Sequence, residues 1–464
     1  MKKFFYGASA LFSVLVIYFL VSLSLSGFLP FKYLMLTFFV LLLLSFGLVF
    51  GMLKLKKTVI RFILFFVSLI VSLMLIIALR YSADTLAFLR GLSGLQFETT
   101  KYYGIALKDA PFDEIDGLDV LMHNNIATDV DELKEKLLEL EVNFDETSNL
   151  SELDQLLFDL EYDAVVVEKN FRDILNEVSE RFENETKVIF EFEVQTEIVR
   201  EEVEVDVTTD AFSIYISGID THGSISNRAR SDVNIVMTIN PRTSEILLTN
   251  IPRDYYVKIP GTTGYKDKLT HAGIYGVETS RATVAELLET DIDYYLRVNF
   301  SSVVRLVDAL GGINVDSSYS FRANGYNFNR GNNFMNGDQT LAFVRERKTL
   351  PGGDRARGEN QQAVIEGIIK KATQRDVITR YSSILNSMEN MFDTNMSSDE
   401  IVSIIRMQIA NNPSWDIEQY NLDGRDSRNF TYSIPSAMAY VMEPDMETVN
   451  EARRLIKELK ERGN

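Results

Sequence analysis

The chain has 464 residues, a formal net charge of −19, three His and no Cys. That length calls for two or three structural units rather than one. Without Cys there is no disulfide, zinc–thiolate site or cysteine nucleophile, and three His exclude a His-rich metal centre. The metal chemistry left open is a hard ion such as Mg²⁺ on carboxylates.

Three apolar runs, residues 4–25, 33–53 and 59–79, fill the first 80 positions. Each is about 20 residues, the length a helix needs to cross a hydrocarbon core. Lys2 and Lys3 precede the first run, Lys32 stands alone between the first and second, and Lys54, Lys56 and Lys57 separate the second from the third. By the positive-inside rule the N-terminus and the second loop are cytoplasmic. The expectation is a multi-pass protein of the cell membrane with residues 81–464 extracellular. A cleaved signal peptide is the competing reading, but no small-residue cleavage site follows the first run. Arg61 lies near the cytoplasmic end of the third run, where it can snorkel.

The acidity is concentrated. Residues 98–209 hold 32 Asp and Glu against 9 Lys and Arg, a net of −23. Residues 210–375 are near neutral, with 20 basic against 18 acidic. The reading is therefore an acidic accessory module over 81–207 joined to a neutral module over 208–464. In the acidic module "YYGIAL" and "DAVVVE" read as strands, and "DELKEKLLELE" and "SELDQLLFDLE" as amphipathic helices. "TKVIFEFEVQTEIV" reads as a strand pair or one long strand. Its carboxylates fall mostly on expected solvent faces and form no catalytic constellation, so a solvated spacer or accessory domain is expected.

"DAFSIYISGID" is a strand ending at Asp220, where an acidic residue either binds a ligand or caps a turn. Two apolar runs, 233–239 and 245–251, flank a turn at residues 240–243 and form a hairpin. Its open end brings Arg230 and Asp232 beside Arg253 and Asp254; surface ion pairing is the alternative there. Next come "KLTHAGIYG", a helix "SRATVAELLET", a strand "YYLRVNF", a helix "SSVVRLVDALGG" with Ser301 or Ser302 as N-cap and Gly311 as stop, and a strand "INVD". Thr270 and His271 stand together, but a His with no evident partner reads as structural. This alternation predicts a layered α/β fold. In "NGDQTLAFVRERKTLPGGDRARGENQQAVIEGIIKKA" a helix gives way to an Arg-rich loop and resumes at Ala363. In residues 376–464 "SDEIVSIIRMQIA" and "METVNEARRLIKELKERG" read as helices and "FTYSIPSAMAYVME" between them as a strand or loop, all closing the same domain.

Taken in order, "GID", "RSD", "IPRD", "KLTHA", "DYYLRVNF…LVDALGGI", "NGDQTLAFVRER" and "GDRARGENQQ" resemble the LytR–CpsA–Psr family over about residues 212–371, with a membrane region and acidic module similar to its streptococcal capsule-associated branch. The resemblance implies three N-terminal transmembrane helices, a small α/β accessory domain and an α/β/α sandwich catalytic domain with a mixed central sheet. It implies a phosphotransferase that moves a glycopolymer, capsular polysaccharide or wall teichoic acid, from a polyprenyl-pyrophosphate lipid to peptidoglycan. By motif position, Asp220 and Asp232 would hold Mg²⁺, and Arg230, Arg253, Lys268, Arg345, Arg347, Asp354, Arg357 and Gln361 would bind pyrophosphate. Arg253, Arg345, Asp232 and Asp254 would carry catalysis, with Asp254 or Asp354 as base and an orienting role for Asp254 equally open. Asn360 stands where many members have a basic residue, which removes one outer phosphate contact. Lys348 and Arg355 are expected to face solvent and to be replaceable. Guanidinium groups meet phosphate oxygens bidentately, and Mg²⁺ takes few protein ligands, so the residue types suit the chemistry. The alternatives are a pyrophosphatase acting on the same lipid and a non-catalytic envelope regulator. External topology and a near-neutral site region argue against nucleic acid as a partner.

Overall fold

Long apolar runs in a bilayer satisfy their backbone groups only as helices or closed barrels, and all three N-terminal runs are helices: α1 (Lys2–Ser26), α2 (Phe31–Lys54) and α3 (Thr58–Leu92). The computed structural model describes residues 2–27, 30–92, 97–124, 130–197, 203–219, 225, 227–374, 377, 384 and 391–463. The three helices are long and apolar enough to cross a membrane. Arg61 Nε donates to the Leu55 carbonyl beyond the α2 end, which keeps its charge by the loop rather than in the apolar run.

The chain divides into two compact units. One holds residues 1–93, 373–389 and 397–414; the other holds 94–372, 390–396 and 415–464. The second unit begins with a five-stranded sheet in the order β3-β2-β4-β1-β5, where β1 is Phe97–Leu107, β2 Asp119–His123, β3 Asn143–Thr147, β4 Ala164–Glu168 and β5 Thr186–Glu197. Helices α4 (Asp131–Glu139), α5 (Leu150–Phe158), α6 (Lys169–Val178) and α7 (Glu180–Glu185) connect them. The Glu-alternating segment is one long strand, since β5 pairs with β1 from Phe97↔Glu197 to Leu107↔Thr186. Asn149 caps α5 by accepting from the Ser151 N–H, which satisfies one of the helix's orphan donors.

A six-stranded mixed sheet follows. Strand β6 (Phe212–Ile219) is buried along its length and central. It pairs antiparallel with β7 (Ser231–Asn240), which turns into β8 (Glu245–Asn250). Asn240 Oδ1 accepts from the Arg242 and Thr243 N–H groups and so closes the turn. Short strands β9 (Tyr256–Val257) and β10 (Asp267–Lys268) pair beside helix α8 (Leu269–Ala272), and α9 (Val277–Leu288) leads to β11 (Tyr294–Asn299), parallel to β6. Helix α10 (Phe300–Leu310) is capped by Asn299 rather than Ser301 or Ser302: the Asn299 carbonyl oxygen of the side chain accepts from Ser302 N–H, and Gly311 at φ +78° stops the helix as expected. Strands β12 (Ile313–Ser317), β13 (Phe321–Ala323), β14 (Tyr326–Phe328) and β15 (Gly331–Met335) precede α11 (Gly337–Arg345) and α12 (Asp354–Ala372). Helix α12 thus begins nine residues before Ala363, so the second half of the Arg-rich stretch is helix, not loop.

After β16 (Phe392–Thr394) comes α13 (Ser398–Asn411), then β17 (Asp416–Asn421), the hairpin β18 (Gly424–Phe430) and β19 (Met438–Pro444), and α14 (Met446–Glu461). The sheet order is β16-β11-β6-β7-β8-β17, with helices on both faces, an α/β/α arrangement. One expectation is corrected here. The tail does not all close this domain, because α13 belongs to the unit of α1–α3. Within that unit Lys32 Nζ donates to the Ala410 carbonyl at 2.8 Å and Arg406 Nε donates to Gly27 at 2.5 Å. Both acceptors are helix-end carbonyls without an intrahelical donor, Gly27 just past α1 and Ala410 in the last turn of α13.

The acidic module is more than a solvated spacer. Ile105, Leu121, Val165 and Phe171 share one buried cluster with Tyr215, Val236 and Tyr275 of the mixed-sheet half. The His123 ring lies 4.5 Å from Phe171, which lies 5.9 Å from Tyr275. Glu98, 7% exposed, reaches across to Arg228 Nε at 2.7 Å and Arg297 Nη1 at 2.7 Å, and Arg297 also meets Asp393 at 3.2 Å. Burial alone would push the Glu98 carboxyl up and the Arg297 guanidinium down. Their mutual attraction outweighs it, so Glu98 lies below and Arg297 above its usual range.

Candidate active site

Antiparallel pairing of β7 and β8 sets Asp232 beside Arg253, as the hairpin reading expects. Arg253 Nη1 donates to Asp232 Oδ1 at 3.0 Å, and Thr270 Oγ1 donates to the same oxygen at 3.1 Å. Arg253 Nε stands 3.5 Å from Asp254 and 4.0 Å from Asp354, and Lys268 Nζ stands 3.5 Å from Asp254. The two glycines after Pro351 have φ of +96° and +57°, a left-handed bend that side chains resist. It turns the chain back so that α12 starts over the end of β8. Gly358 makes this approach possible: a Cβ there would fall 2.2 Å from Asn250 Nδ2. Asp354 and Arg357 then share one helix face, with Arg357 Nη2 2.6 Å from Asp354 Oδ1.

These groups line a cleft of about 160 Å³ that includes Asp232, Arg253, Asp354, Arg357 and Gln361. Such a volume suits one small charged group or ring rather than a whole lipid. The electrostatics are asymmetric. Burial works against Arg253, yet Asp232, Asp254 and Asp354 outweigh it and hold its guanidinium above the ordinary range. Arg357 is held below it: burial dominates, Asp354 offsets only part, and Arg253 and Arg347 repel it. A cation in that position gains from an added anion.

The other expected residues fall in several places. Asp254 and Lys268 stand behind Arg253 rather than among the cleft-lining residues. Arg347 is exposed but near enough to act on Arg357. Arg345 is exposed and outside the lining, with its guanidinium 4.8 Å over the Phe300 ring. Arg230 is half-buried directly before β7. Asp220 lies outside the described residues. Asn360 is interior and donates to the Phe343 carbonyl at 3.3 Å, so its side chain points away from any outer phosphate. Arg355 is exposed as expected; it pairs with Asp423 at 2.6 Å, donates to the Gly424 carbonyl and reaches the rim of the cleft. Lys348 is exposed.

His271 has partners the sequence did not reveal. Its Nδ1 lies 2.8 Å from both Asp267 Oδ1 and Ser433 Oγ in a fully buried cluster. Burial raises the Asp267 carboxyl, but His271 and the donors from Ser433 and Lys268 outweigh it, leaving it below its usual range. This cluster pins β10, and with it Lys268. Among the lining residues the sequence reading missed are the polar Asn250, Glu359, Asn421 and Asp423. Asn421 ends β17, in a stretch between the expected helix "SDEIVSIIRMQIA" and the expected strand or loop "FTYSIPSAMAYVME" to which the sequence reading assigns no element.

No group of three or more His, Asp or Glu side chains is arranged to hold a metal among the described residues. Asp232 lines the cleft with Oδ2 outside the Arg253 and Thr270 bonds, which both reach Oδ1, and its side chain is 18% exposed. That fits Mg²⁺, which takes one or two carboxylates and completes its shell with phosphate oxygens and water.

An α/β/α domain with an arginine–carboxylate cleft at its strand ends, on a chain with three helices long enough to cross a membrane, is the class these features define. The chain belongs to the LytR_cpsA_psr family, whose family model matches residues 170–451. It is 38% identical over 196 residues to the polyisoprenyl-teichoic acid–peptidoglycan teichoic acid transferase TagU of Bacillus licheniformis, an alignment covering 42% of this chain and 63% of that protein. The TagU of Halalkalibacterium halodurans is 35% identical over 243 residues, covering 51% of this chain and 78% of that one. The crystal structure of B. subtilis TagU superposes with a TM-score of 0.44 at 32% identity, covering 55% of this chain and 99% of that one.

Proposed function

We propose that this protein is a membrane-anchored phosphotransferase that moves a glycopolymer from a polyprenyl-pyrophosphate lipid to peptidoglycan. The observation that carries the reading is the pair Arg253 and Arg357 on one small cleft, with Arg357 short of compensating negative charge. The names of the two TagU relatives support the same reaction class. The polymer is a capsular polysaccharide or a wall teichoic acid.

The pyrophosphate lies between Arg253 on the β8 end and Arg357 on the first turns of α12, with Gln361 one turn on. A sugar hydroxyl of peptidoglycan attacks the polymer-bearing phosphorus, and the bridging P–O bond breaks. The leaving group is the polyprenyl phosphate. Arg253 and Arg357 stabilise the charge that grows on the equatorial and leaving oxygens. Asp354 lines the cleft and takes the hydroxyl proton, whereas Asp254 is pinned by Arg253 and Lys268 and orients them. Mg²⁺ held by Asp232, with Asp220 as a second ligand, would supply charge neutralisation at the phosphate oxygens.

The cell-membrane orientation follows from the lysines at the N-terminus and between α2 and α3. Three crossings then put residues 81–464 outside, with access to lipid-linked precursors and wall glycan. The contacts of α13 with the α1–α2 turn support this, because that turn and the α3 end share one side of a three-span bundle.

The test uses the full-length protein in nanodiscs with a polyprenyl-pyrophosphate glycopolymer, peptidoglycan oligosaccharide and Mg²⁺. Polymer-modified glycan is the expected product. Free polymer alone would make the protein a hydrolase, and no turnover by a folded sample would remove the transferase reading.

A further inference from the structure

Asp232 stands on an irregularity of the sheet. Strands β6 and β7 pair one to one from Phe212↔Ile239 to Gly218↔Val233, and the next pair is Ile219↔Ser231. Asp232 is the residue skipped, the extra one of a β-bulge. An unbroken ladder would set it opposite Ile219, on the face that carries Ser217 and Tyr215. That face is packed: Tyr215 belongs to the buried cluster with Leu269, Val284 and Ile456. Asp232 instead lines the open cleft, and Ser231 takes the place opposite Ile219.

A bulge interrupts the ladder, so its backbone groups need other partners. Two side chains supply them, and each bond spans Asp232. Asn234 Nδ2 donates to the Ser231 carbonyl at 3.1 Å, and Ser231 Oγ donates to the Val233 carbonyl at 3.1 Å. Ser231 Oγ also lies 2.8 Å from Ser217 Oγ and 3.1 Å from the Tyr215 hydroxyl, which donates to Asn234 Oδ1 at 2.5 Å. All four side chains are buried, and none is among the residues lining the cleft. A connected polar network inside a sheet selects one arrangement over its near alternatives.

We propose that Tyr215, Ser217, Ser231 and Asn234 are positioning residues that hold the Asp232 bulge and, through Asp232, set the anion-binding geometry of the cleft. The inference rests on the pyrophosphate reading of that cleft. Asp232 Oδ1 receives Arg253 Nη1 and Thr270 Oγ1, and its other oxygen is left for a cation. A slip of one residue sends a strand side chain to the opposite face. If the bulge relaxed into the regular ladder, the carboxylate would leave the cleft, and Arg253 and Thr270 would lose it together.

The experiment measures the Kd of inorganic pyrophosphate, with Mg²⁺ present, for the full-length protein in nanodiscs, alongside denaturant unfolding. Tyr215→Phe removes one hydroxyl and keeps the ring. The control is Ser213→Ala. Ser213 and Thr238 form a similar buried hydroxyl pair, 3.2 Å apart, on the regular part of the same two strands. A purely structural role would make the two variants alike toward the ligand. Tyr215→Phe is expected to weaken pyrophosphate about tenfold, the worth of about one buried hydrogen bond. Ser213→Ala is expected to stay within about twofold of wild type while losing comparable stability. Ser231→Ala repeats the test should Tyr215→Phe fail to fold. The proposal is overturned if Tyr215→Phe and Ser231→Ala both bind within about twofold of wild type, or if Ser213→Ala weakens the ligand as much as they do. Wild type that binds no pyrophosphate removes the phosphate reading and the inference with it; binding that the variants match removes the inference alone.

Discussion

Two arginine–carboxylate networks lie in this protein, and they are built for opposite ends. At the junction, Glu98, Arg228, Arg297 and Asp393 are almost fully buried, and two cations meet two anions. At the cleft, Asp232, Arg253, Asp354 and Arg357 keep side-chain exposures of 12–30%. Arg253 at the cleft is held above its ordinary range as Arg297 is, but Arg357 departs the other way. Arg297 is held above its ordinary range by its anions, whereas Arg357 sits below its own because burial and neighbouring arginines outweigh Asp354. The first network is closed and structural. The second is left open, and an incoming phosphate would close it.

Glu98→Ala should show the largest effect. Removing one member of a buried ionic group strands the others, at a cost of about 3–5 kcal/mol. The measurement is denaturant unfolding of the second unit. A loss no larger than that of an exposed pair such as Lys101–Glu193 would erase the distinction.

The junction also carries an acid signature. Burial pushes the His123 imidazole down to about 4, from an ordinary value of about 6.5. Above the unfolded value both states are neutral and nothing is lost. As pH falls below it, the unfolded chain takes a proton that the folded one refuses, so stability declines until about pH 4 and then levels. The total is on the order of 3 kcal/mol. His123→Phe should flatten that part of the stability–pH curve, while Arg357→Ala should leave it unchanged.

Arg357→Ala tests the open network. It should lower transfer about 10²- to 10³-fold, the range for losing one charge-stabilising donor, with little change in unfolding. Arg345→Ala should cost less than Arg357→Ala, because its guanidinium stacks on Phe300 outside the cleft. Equal losses would place Arg345 in the phosphate site after all. A gentler probe is inorganic pyrophosphate. At a hundredfold excess over its Kd it should stabilise the protein by about 2.7 kcal/mol, and Arg357→Ala should remove that gain. Smallest of all, Lys348→Ala should leave transfer within about twofold.

The contrast also explains what the sequence could reveal. The hairpin ends announced Asp232, Arg253 and Asp254, because antiparallel pairing is local and only 21 residues separate Arg253 from Asp232. The membrane helices were legible from length and apolarity alone. The closed network was not, since Glu98 and Arg297 are 199 residues apart and Glu98 sits in a segment whose composition says solvent. The start of α12 was hidden for another reason. Its first turns bury Asn360, Gln361 and Gln362 against backbone carbonyls, so no apolar periodicity marks them. Strand β17 was missed because an edge strand with half-exposed residues carries little alternation.

The placement of α13 bears on how the protein is handled outside its membrane. Ile401, Val402, Ile405 and Met407 lie on a helix whose company is the apolar bundle. Cutting the chain after residue 93 therefore does not yield a self-contained soluble half. It leaves an orphaned greasy helix between β16 and β17, a seed for self-association in solution. A water-soluble version would need residues 397–414 recoated with polar side chains or bridged by a short linker.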